Sequence, residues 1–114
     1  MNGAAASRKG STWERSVVAF LRDHGHPGVE RAYGAGRPND VGDVDGLPGW
    51  VVEAKNCKAI QLAGWCDEAA REAQNVPHGA RWAVVAKRRG KPPSDANVVL
   101  SLATFSELLR DNNP

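Results

Sequence analysis

Three polar residues near the middle of the chain have the types and the spacing of a hydrolytic metal site. Glu53 and Lys55 lie two residues apart in the otherwise apolar segment 50–55, WVVEAK, and Asp43 lies in the short segment before it. Because side chains along a strand alternate between its faces, Glu53 and Lys55 project to the same side. Charges within an apolar strand are costly unless they are paired or bound. Their placement therefore indicates a functional role.

Two carboxylates beside an amine form the donor set that a hard divalent cation requires. Mg²⁺ takes oxygen ligands and keeps several waters, and Mn²⁺ is expected to substitute for it. The cation offsets charge growing on a phosphate, while Lys55 can orient or deprotonate the water that attacks a phosphodiester. The pattern predicts a Mg²⁺ site at Asp43 and Glu53. The simpler interpretation is an exposed Glu53–Lys55 ion pair on an edge strand, worth at most about 1 kcal/mol.

Whether Asp43 can reach Glu53 depends on the turn of a predicted hairpin. The segment 46–49, GLPG, has the residue types of a turn between two strands. A turn of this length places Asp43 opposite Val52, on the wrong side of the sheet, because a shift of one residue reverses every side chain. We therefore expect an odd-length turn or a bulge near Gly46.

Glu14 is a further candidate, on a first helix predicted from Ser11 to about His24. At about 100° per residue, Glu14 falls within the apolar arc of this helix, where a carboxylate needs a specific reason. One reason is a role in the site. The other is helix capping, since Ser11 and Glu14 have capping-box spacing. On a second helix, from about Leu62 to Val76, the acidic residues, including Glu68 and Glu72, are expected to face water.

Clusters of cations suggest contact with a polyanion. The net charge is only +2, so the local distribution is more informative than the sum. One cluster lies in residues 1–10, expected to form a flexible basic arm; another follows the apolar segment 82–86; a further arginine lies in the glycine- and proline-rich loop 34–40. The candidate phosphate contacts are Arg8, Lys9, Arg37, Lys87, Arg88, Arg89 and Lys91. The alternative is a solvated run of charges.

The order of predicted elements indicates the α/β class. Helix and strand signals follow one another as αβββαββα, which predicts a single domain at 11–114 with a central mixed sheet of about five strands flanked by helices. No apolar run approaches the roughly 20 residues that cross a bilayer, and the first residues lack a signal peptide. Cys57 and Cys66 lack the spacing of a zinc site and are expected to be reduced thiols of a cytoplasmic protein.

Taken together, the motifs are similar to those of one nuclease family. RKGSTWER at 8–15, GDVDG at 42–46 and VVEAK at 51–55 resemble the archaeal-type Holliday junction resolvases of the PD-(D/E)XK superfamily. GLPGWVVEAKN, LAGWCDEA and KRRGK are especially similar to resolvase-like endonucleases of actinobacterial phages. The resemblance covers about residues 8–90 and implies a restriction-endonuclease-like fold.

The resemblance also implies an activity and a set of roles. It implies a Mg²⁺-dependent homodimer with two active sites, which cleaves four-way and other branched DNA junctions. The implied residues are Asp43, Glu53 and the backbone carbonyl of Ala54 at the metal, Lys55 and Glu14 in catalysis, and Arg8-Lys9-Gly10 on the DNA.

One departure from the superfamily pattern is that Gly42, rather than proline, precedes Asp43. This leaves Asp40 and Asp45 as alternatives for its role. Two other functions also remain open: a nuclease or nickase with a sequence-specific or repair substrate, and a nucleic-acid-binding module without catalysis.

Overall fold

The computed structural model describes residues 3–32 and 42–112. These form a compact α/β domain with the elements α1 (Gly3–Asp23), β1 (Glu30–Arg31), β2 (Val44–Asp45), β3 (Trp50–Lys55), α2 (Leu62–Ala73), β4 (Arg81–Ala86), a 3-10 turn (Pro93–Asp95), β5 (Asn97–Val99) and α3 (Leu102–Asp111). Helices and strands follow one another as expected. In the described residues, however, the strands form two sheets rather than one sheet of about five strands.

The larger sheet has the order β3-β4-β5. β3 and β4 are parallel, with Trp50 opposite Arg81 and Lys55 opposite Ala86. α2 supplies the crossover that parallel neighbours require. β5 pairs antiparallel with β4, so the sheet is mixed.

The smaller sheet pairs β1 with β2 in antiparallel orientation, with Arg31 opposite Val44. It adjoins the larger sheet through a hydrogen bond from the Asp43 backbone N–H to the Val52 carbonyl, at 2.8 Å. The two sheets stay separate because β2, which is only two residues long, pairs with β1 and forms no ladder with β3.

The core lies on both faces of the larger sheet. α1 packs on one face, where Trp13 and Val17 join a buried cluster with Val52 and Ala54. The Trp13 indole N–H also donates to the Val85 carbonyl at 3.2 Å, which fixes α1 to β4. On the other face, α2 contributes Trp65 and Ala69 to a second cluster, with Val84 and Ala86 of β4. Burial of these apolar groups is the main stabilising contribution.

α1 begins at Gly3, so the predicted start of the first helix at Ser11 is wrong, and residues 3–10, which were assigned to the basic arm, are helical. The reason is local, because Ala4, Ala5 and Ala6 have the highest helix propensity and no proline interrupts the segment. The helix ends at Asp23, before Gly25 with its φ of +102°. Across the described part of the chain, no helix is both long enough and apolar enough to cross a membrane.

Candidate metal centre

Glu53 is the more buried residue of the predicted pair formed by Glu53 and Lys55. Its exposure is only 4%, and its carboxyl lies on the face of β3 that is covered by α2. Lys55 lies on the same face, with its Nζ 3.9 Å from Glu53 Oε2. The simpler interpretation is therefore wrong about exposure, although β3 is an edge strand of the larger sheet and the two residues are within ion-pair distance. Burial of a carboxyl beside an amine is costly without specific partners.

Asp43 meets Glu53, although the turn between β2 and β3 has the even length that was expected to prevent it. Residues 46–49 separate the two strands, so the odd-length turn is wrong, while the alternative, a bulge near Gly46, stays a prediction. Asp43 nevertheless accepts a hydrogen bond at Oδ2 from the Ala54 N–H, at 2.9 Å, and its carboxyl is hydrogen-bonded to that of Glu53. The alternation argument fails because β2 forms its ladder with β1 and not with β3.

Gly42 allows this approach of Asp43 to β3. Its φ is +99°, and a Cβ at this position would lie 2.9 Å from the Val52 carbonyl oxygen and 3.0 Å from Val51 Cγ1. Proline fixes φ near about −65°, so it cannot adopt this conformation. The glycine that departs from the PD pattern therefore has a structural reason.

The two alternatives to Asp43 for the metal-binding role, Asp40 and Asp45, do not share its position. Asp45 lies in β2 opposite Glu30, in the smaller sheet. Asp40 lies outside the described residues, and so does Arg37. Asp43 accepts its hydrogen bond from Ala54 of β3, beside Glu53.

α2 adds two carboxylates that the sequence interpretation placed in water. Glu72 is only 6% exposed, and its carboxyl is hydrogen-bonded to that of Glu53. Glu68, one helical turn earlier, is half-buried and has Oε1 2.7 Å from Lys55 Nζ. Carboxylate oxygens of Glu53, Glu68 and Glu72 lie within 4.8 Å of one another, close enough to share a cation.

A sequence signal for Glu72 existed. It follows the buried Trp65 by seven positions and Ala69 by three, and both spacings lie on one helix face. The angular argument applied to Glu14 on α1 therefore also places Glu72 within the apolar arc of α2.

The acidic cluster favours uptake of a proton or a cation. Burial, the hydrogen bond to Glu72 and the charge of Asp43 together raise the pKa of Glu53 to about 11, and burial is the largest of these causes. Burial also raises the pKa of Asp43, although the Ala54 hydrogen bond opposes the shift. Like charges at this separation cannot all persist in a buried site without compensation. A divalent cation provides such compensation.

Lys55 is held in its charged form. Burial alone would lower its pKa, but the hydrogen bond to Glu68 and the charges of Glu68, Glu53 and Asp43 outweigh burial, and the pKa is raised. An ammonium with a raised pKa is a hydrogen-bond donor and a fixed positive charge rather than a base.

Glu14 borders the cluster but makes its own ion pair. Arg31 donates to Glu14 Oε1 from Nε at 3.1 Å and from Nη2 at 3.0 Å, and also reaches Ser11 Oγ at 3.3 Å. The charge of Glu14 contributes to the raised pKa of Asp43, so the two carboxylates interact. The capping interpretation is wrong, because Ser11 lies within α1. Arg31 had no distinguishing sequence signal.

A basic groove begins beside the acidic cluster. The Lys87 backbone N–H donates to the Lys55 carbonyl at 2.9 Å, so the basic loop starts where β3 ends. The groove has a volume of about 610 Å³. Its cationic lining residues are Lys9, Lys58, Lys87, Arg88 and Arg89. Lys9 of the first predicted cluster thus lies with Lys87, Arg88 and Arg89 of the second. Lys58, which the sequence interpretation missed, also lines the groove.

Three candidate phosphate contacts do not line this groove: Arg37 is outside the described residues, and the other two lie elsewhere. Arg8 lies beside Ser11, Thr12 and Arg15 at a smaller groove, and Lys91 is exposed in the loop after β4.

Comparison of the chain with protein-family models, curated proteins and solved structures finds no match. The function of the acidic cluster and the groove is therefore inferred from the chemistry of their residues.

Proposed function

We propose that this chain is a Mg²⁺-dependent endonuclease of the PD-(D/E)XK type that cleaves four-way and other branched DNA junctions. The observation that carries the proposal is that Asp43 and Lys55, both half-buried, lie beside the buried carboxyl of Glu53. A second observation supports the choice of substrate class, because the basic groove begins at the end of the same strand.

The donor set fits a hard cation. Asp43 and Glu53 would hold Mg²⁺, or Mn²⁺ in its place. The buried carboxyl of Glu72, on α2, lies beside that of Glu53. When bound, such an ion supplies Lewis-acid stabilisation to the phosphate under attack. The Ala54 N–H keeps Asp43 in place. A contact between the Ala54 carbonyl and the metal stays a prediction.

Lys55 would orient the attacking water and neutralise charge on the phosphate. Its raised pKa favours these two roles over removal of a proton. The amine lies near Glu53 at 3.9 Å, so it can act at the same phosphate as the acids. Glu14 would act from the border of the cluster, through its charge on Asp43.

The basic groove would hold the DNA backbone. Its five cations can each contact a phosphate, and every phosphate neutralised increases the salt dependence of binding. Asn56 and Asn97 add hydrogen-bonding groups to the lining. Contacts of this kind position a duplex without selecting its sequence, which suits an enzyme that selects the shape of its substrate.

The test is cleavage of a four-way junction and of a linear duplex with matched sequence, in Mg²⁺ and in Mn²⁺. We expect the junction to be cut selectively, leaving 5′-phosphate and 3′-hydroxyl ends. Equal cutting of both would support a nuclease with another substrate. If neither is cut with either metal, the nuclease proposal fails.

A homodimer is the remaining part of the proposal, and one surface suits it. On α3, Leu102, Phe105 and Leu109 are 80%, 48% and 56% exposed, and Val98 on the adjacent strand is 59% exposed. Two such helices packed antiparallel around a two-fold axis would bring Leu102 near Leu109 of the partner subunit, making the surface self-complementary. Leu109→Glu should give monomers in sedimentation equilibrium. Arg110→Glu lies outside this apolar surface of α3 and should leave the dimer intact. A monomeric wild type would contradict the proposed dimer.

A nucleic-acid-binding module without catalysis is the second candidate, supported by the groove. It predicts that the acidic residues can be neutralised without functional effect.

A further inference from the structure

α2 presents two acidic residues to the two functional residues of β3. Glu53 and Lys55 are two positions apart on a strand, a separation of about 7 Å, and Glu68 and Glu72 are four apart on a helix, about 6 Å. The two spacings therefore match across the interface. Glu72 is hydrogen-bonded to Glu53, and Glu68 contacts Lys55.

The Lys55 amine is closer to α2 than to the acid on its own strand. Its Nζ lies 2.7 Å from Glu68 Oε1 and 3.9 Å from Glu53 Oε2. A lysine side chain has a flexible four-carbon stem, so a second anchor is needed to define the position of its amine. Glu68 is the residue that provides this anchor.

The position of the amine has a consequence for Glu53. If the ammonium moved onto Glu53 and formed a close ion pair, it would compete with a cation for the same carboxylate oxygens. The hydrogen bond to Glu68 holds the Lys55 amine toward α2. The amine therefore lies near Glu53 but does not block the carboxylate oxygens of Glu53.

We propose that Glu68 is a positioning residue that holds the Lys55 amine beside the acidic cluster and off the Glu53 carboxylate. This inference rests on the proposed function, because it assigns Glu68 a role in the same reaction. Glu68 acts through Lys55 in this role, which is distinct from sharing a cation with Glu53 and Glu72.

The kinetic test compares Glu68→Ala, Glu68→Gln and Asp67→Asn in junction cleavage. The glutamine keeps an acceptor for the Lys55 amine, whereas the alanine removes it. Asp67 is exposed on the same helix and controls for loss of one negative charge. We expect kcat to fall by about 10- to 100-fold in Glu68→Ala with an unchanged KM for DNA, since misplacing a group by about 1 Å can cost 100-fold. Glu68→Gln should recover most of this loss, and Asp67→Asn should match the wild type.

A second measurement does not depend on activity. Brief acetylation of the folded protein, followed by mass spectrometry, reports how accessible each lysine amine is. Lys55 should be labelled several-fold faster in Glu68→Ala than in the wild type, with Lys58, which is exposed, unchanged as the internal reference. Equal labelling of Lys55 in the two proteins would overturn the contact on which the inference depends.

The outcomes separate the inference from the proposed function. If the wild type cuts junctions and Glu68→Ala cuts them equally fast, the positioning role is overturned and the nuclease stands. Equal losses in Glu68→Gln, Glu68→Ala and Asp67→Asn would also overturn it, because they would indicate a general effect of charge. A wild type that cuts no DNA would overturn the proposed function, and the role of Glu68 in it, whatever the labelling shows.

Discussion

The Asp43 carboxylate accepts a hydrogen bond from the backbone N–H of Ala54, one residue beyond Glu53, at 2.9 Å. A side chain from outside the larger sheet is thereby attached to its edge strand, β3. The hydrogen bond holds Asp43 beside Ala54, and the preceding residue of β3, Glu53, presents the second acid, so the carboxyls meet before any ligand arrives. Such preorganisation decreases the reorganisation that a bound ion would require.

Replacing Glu53 should separate catalysis from binding. Glu53→Gln preserves size but removes a carboxylate from the proposed metal site, so cleavage should fall by at least about 100-fold, while affinity for junction DNA is retained. Cleavage and a gel-shift assay measure the two properties. Glu30→Gln, the same change at an exposed site on β1, is the control. Undiminished cleavage by Glu53→Gln would favour the module without catalysis.

The stability of the metal-free protein should decrease as the pH rises. Glu53 has a pKa of about 11 in the folded chain against an ordinary value of 4.5, so the folded state retains a proton that the unfolded state loses. The contribution of this group is complete below 4.5 and is lost progressively as the pH rises toward about 11.

Urea unfolding in excess chelator, at mildly acidic and mildly alkaline pH, measures this decrease. Glu53→Gln, which cannot titrate, should show a weaker dependence. Mg²⁺ should stabilise the wild type more at alkaline pH, because the ligands must lose their protons to bind it. A wild type that is more stable at alkaline pH without metal would contradict the prediction.

Gly42 and Gly49 offer a matched pair of substitutions. Both have positive φ, at +99° and +80°, but a Cβ meets Val52 only at Gly42 and meets nothing within 4 Å at Gly49. Alanine at either site incurs backbone strain of about 1–3 kcal/mol. Gly42→Ala should therefore decrease the free energy of unfolding by more than Gly49→Ala, and it should also weaken Mg²⁺ binding by displacing Asp43. Equal losses of stability would show that the close approach to Val52 is unimportant.

The groove predicts a specific salt dependence. Lys58→Gln and Lys87→Gln should each decrease the slope of log affinity for DNA against log salt concentration by about one, because each removes one phosphate contact. Fluorescence anisotropy over a salt series gives the slope. Arg71→Gln changes an exposed cation outside the groove and should leave the slope unchanged. An unchanged slope in both lysine variants would place the DNA elsewhere.

Part of the candidate site could be predicted from the sequence because it depends on local geometry. The alternation of side chains along one strand placed Glu53 and Lys55 on a shared face, and both contact α2 there. The apolar segment before the basic loop predicted that Lys87 follows a sheet end, which the β3–β4 pairing confirms. In both cases, neighbours in sequence carry the information.

The rest depends on which elements pair and pack. The geometry at Asp43 was predicted from a hairpin, but β2 pairs with β1, a choice that the turn residues do not encode. Glu68 can contact Lys55 only because α2 packs on β3 in the position that brings these two residues together. Lys58 and Lys9 share a groove through the tertiary fold alone.

α1 carries Lys9 in the groove and Glu14 at the border of the acidic cluster, and the Trp13 indole fixes the helix to Val85 of β4 between them. Lys9 and Glu14 are five residues apart on this continuous helix, a separation of about 7.5 Å along its axis. α1 is therefore a spacer that sets the distance between the basic groove and the carboxylates.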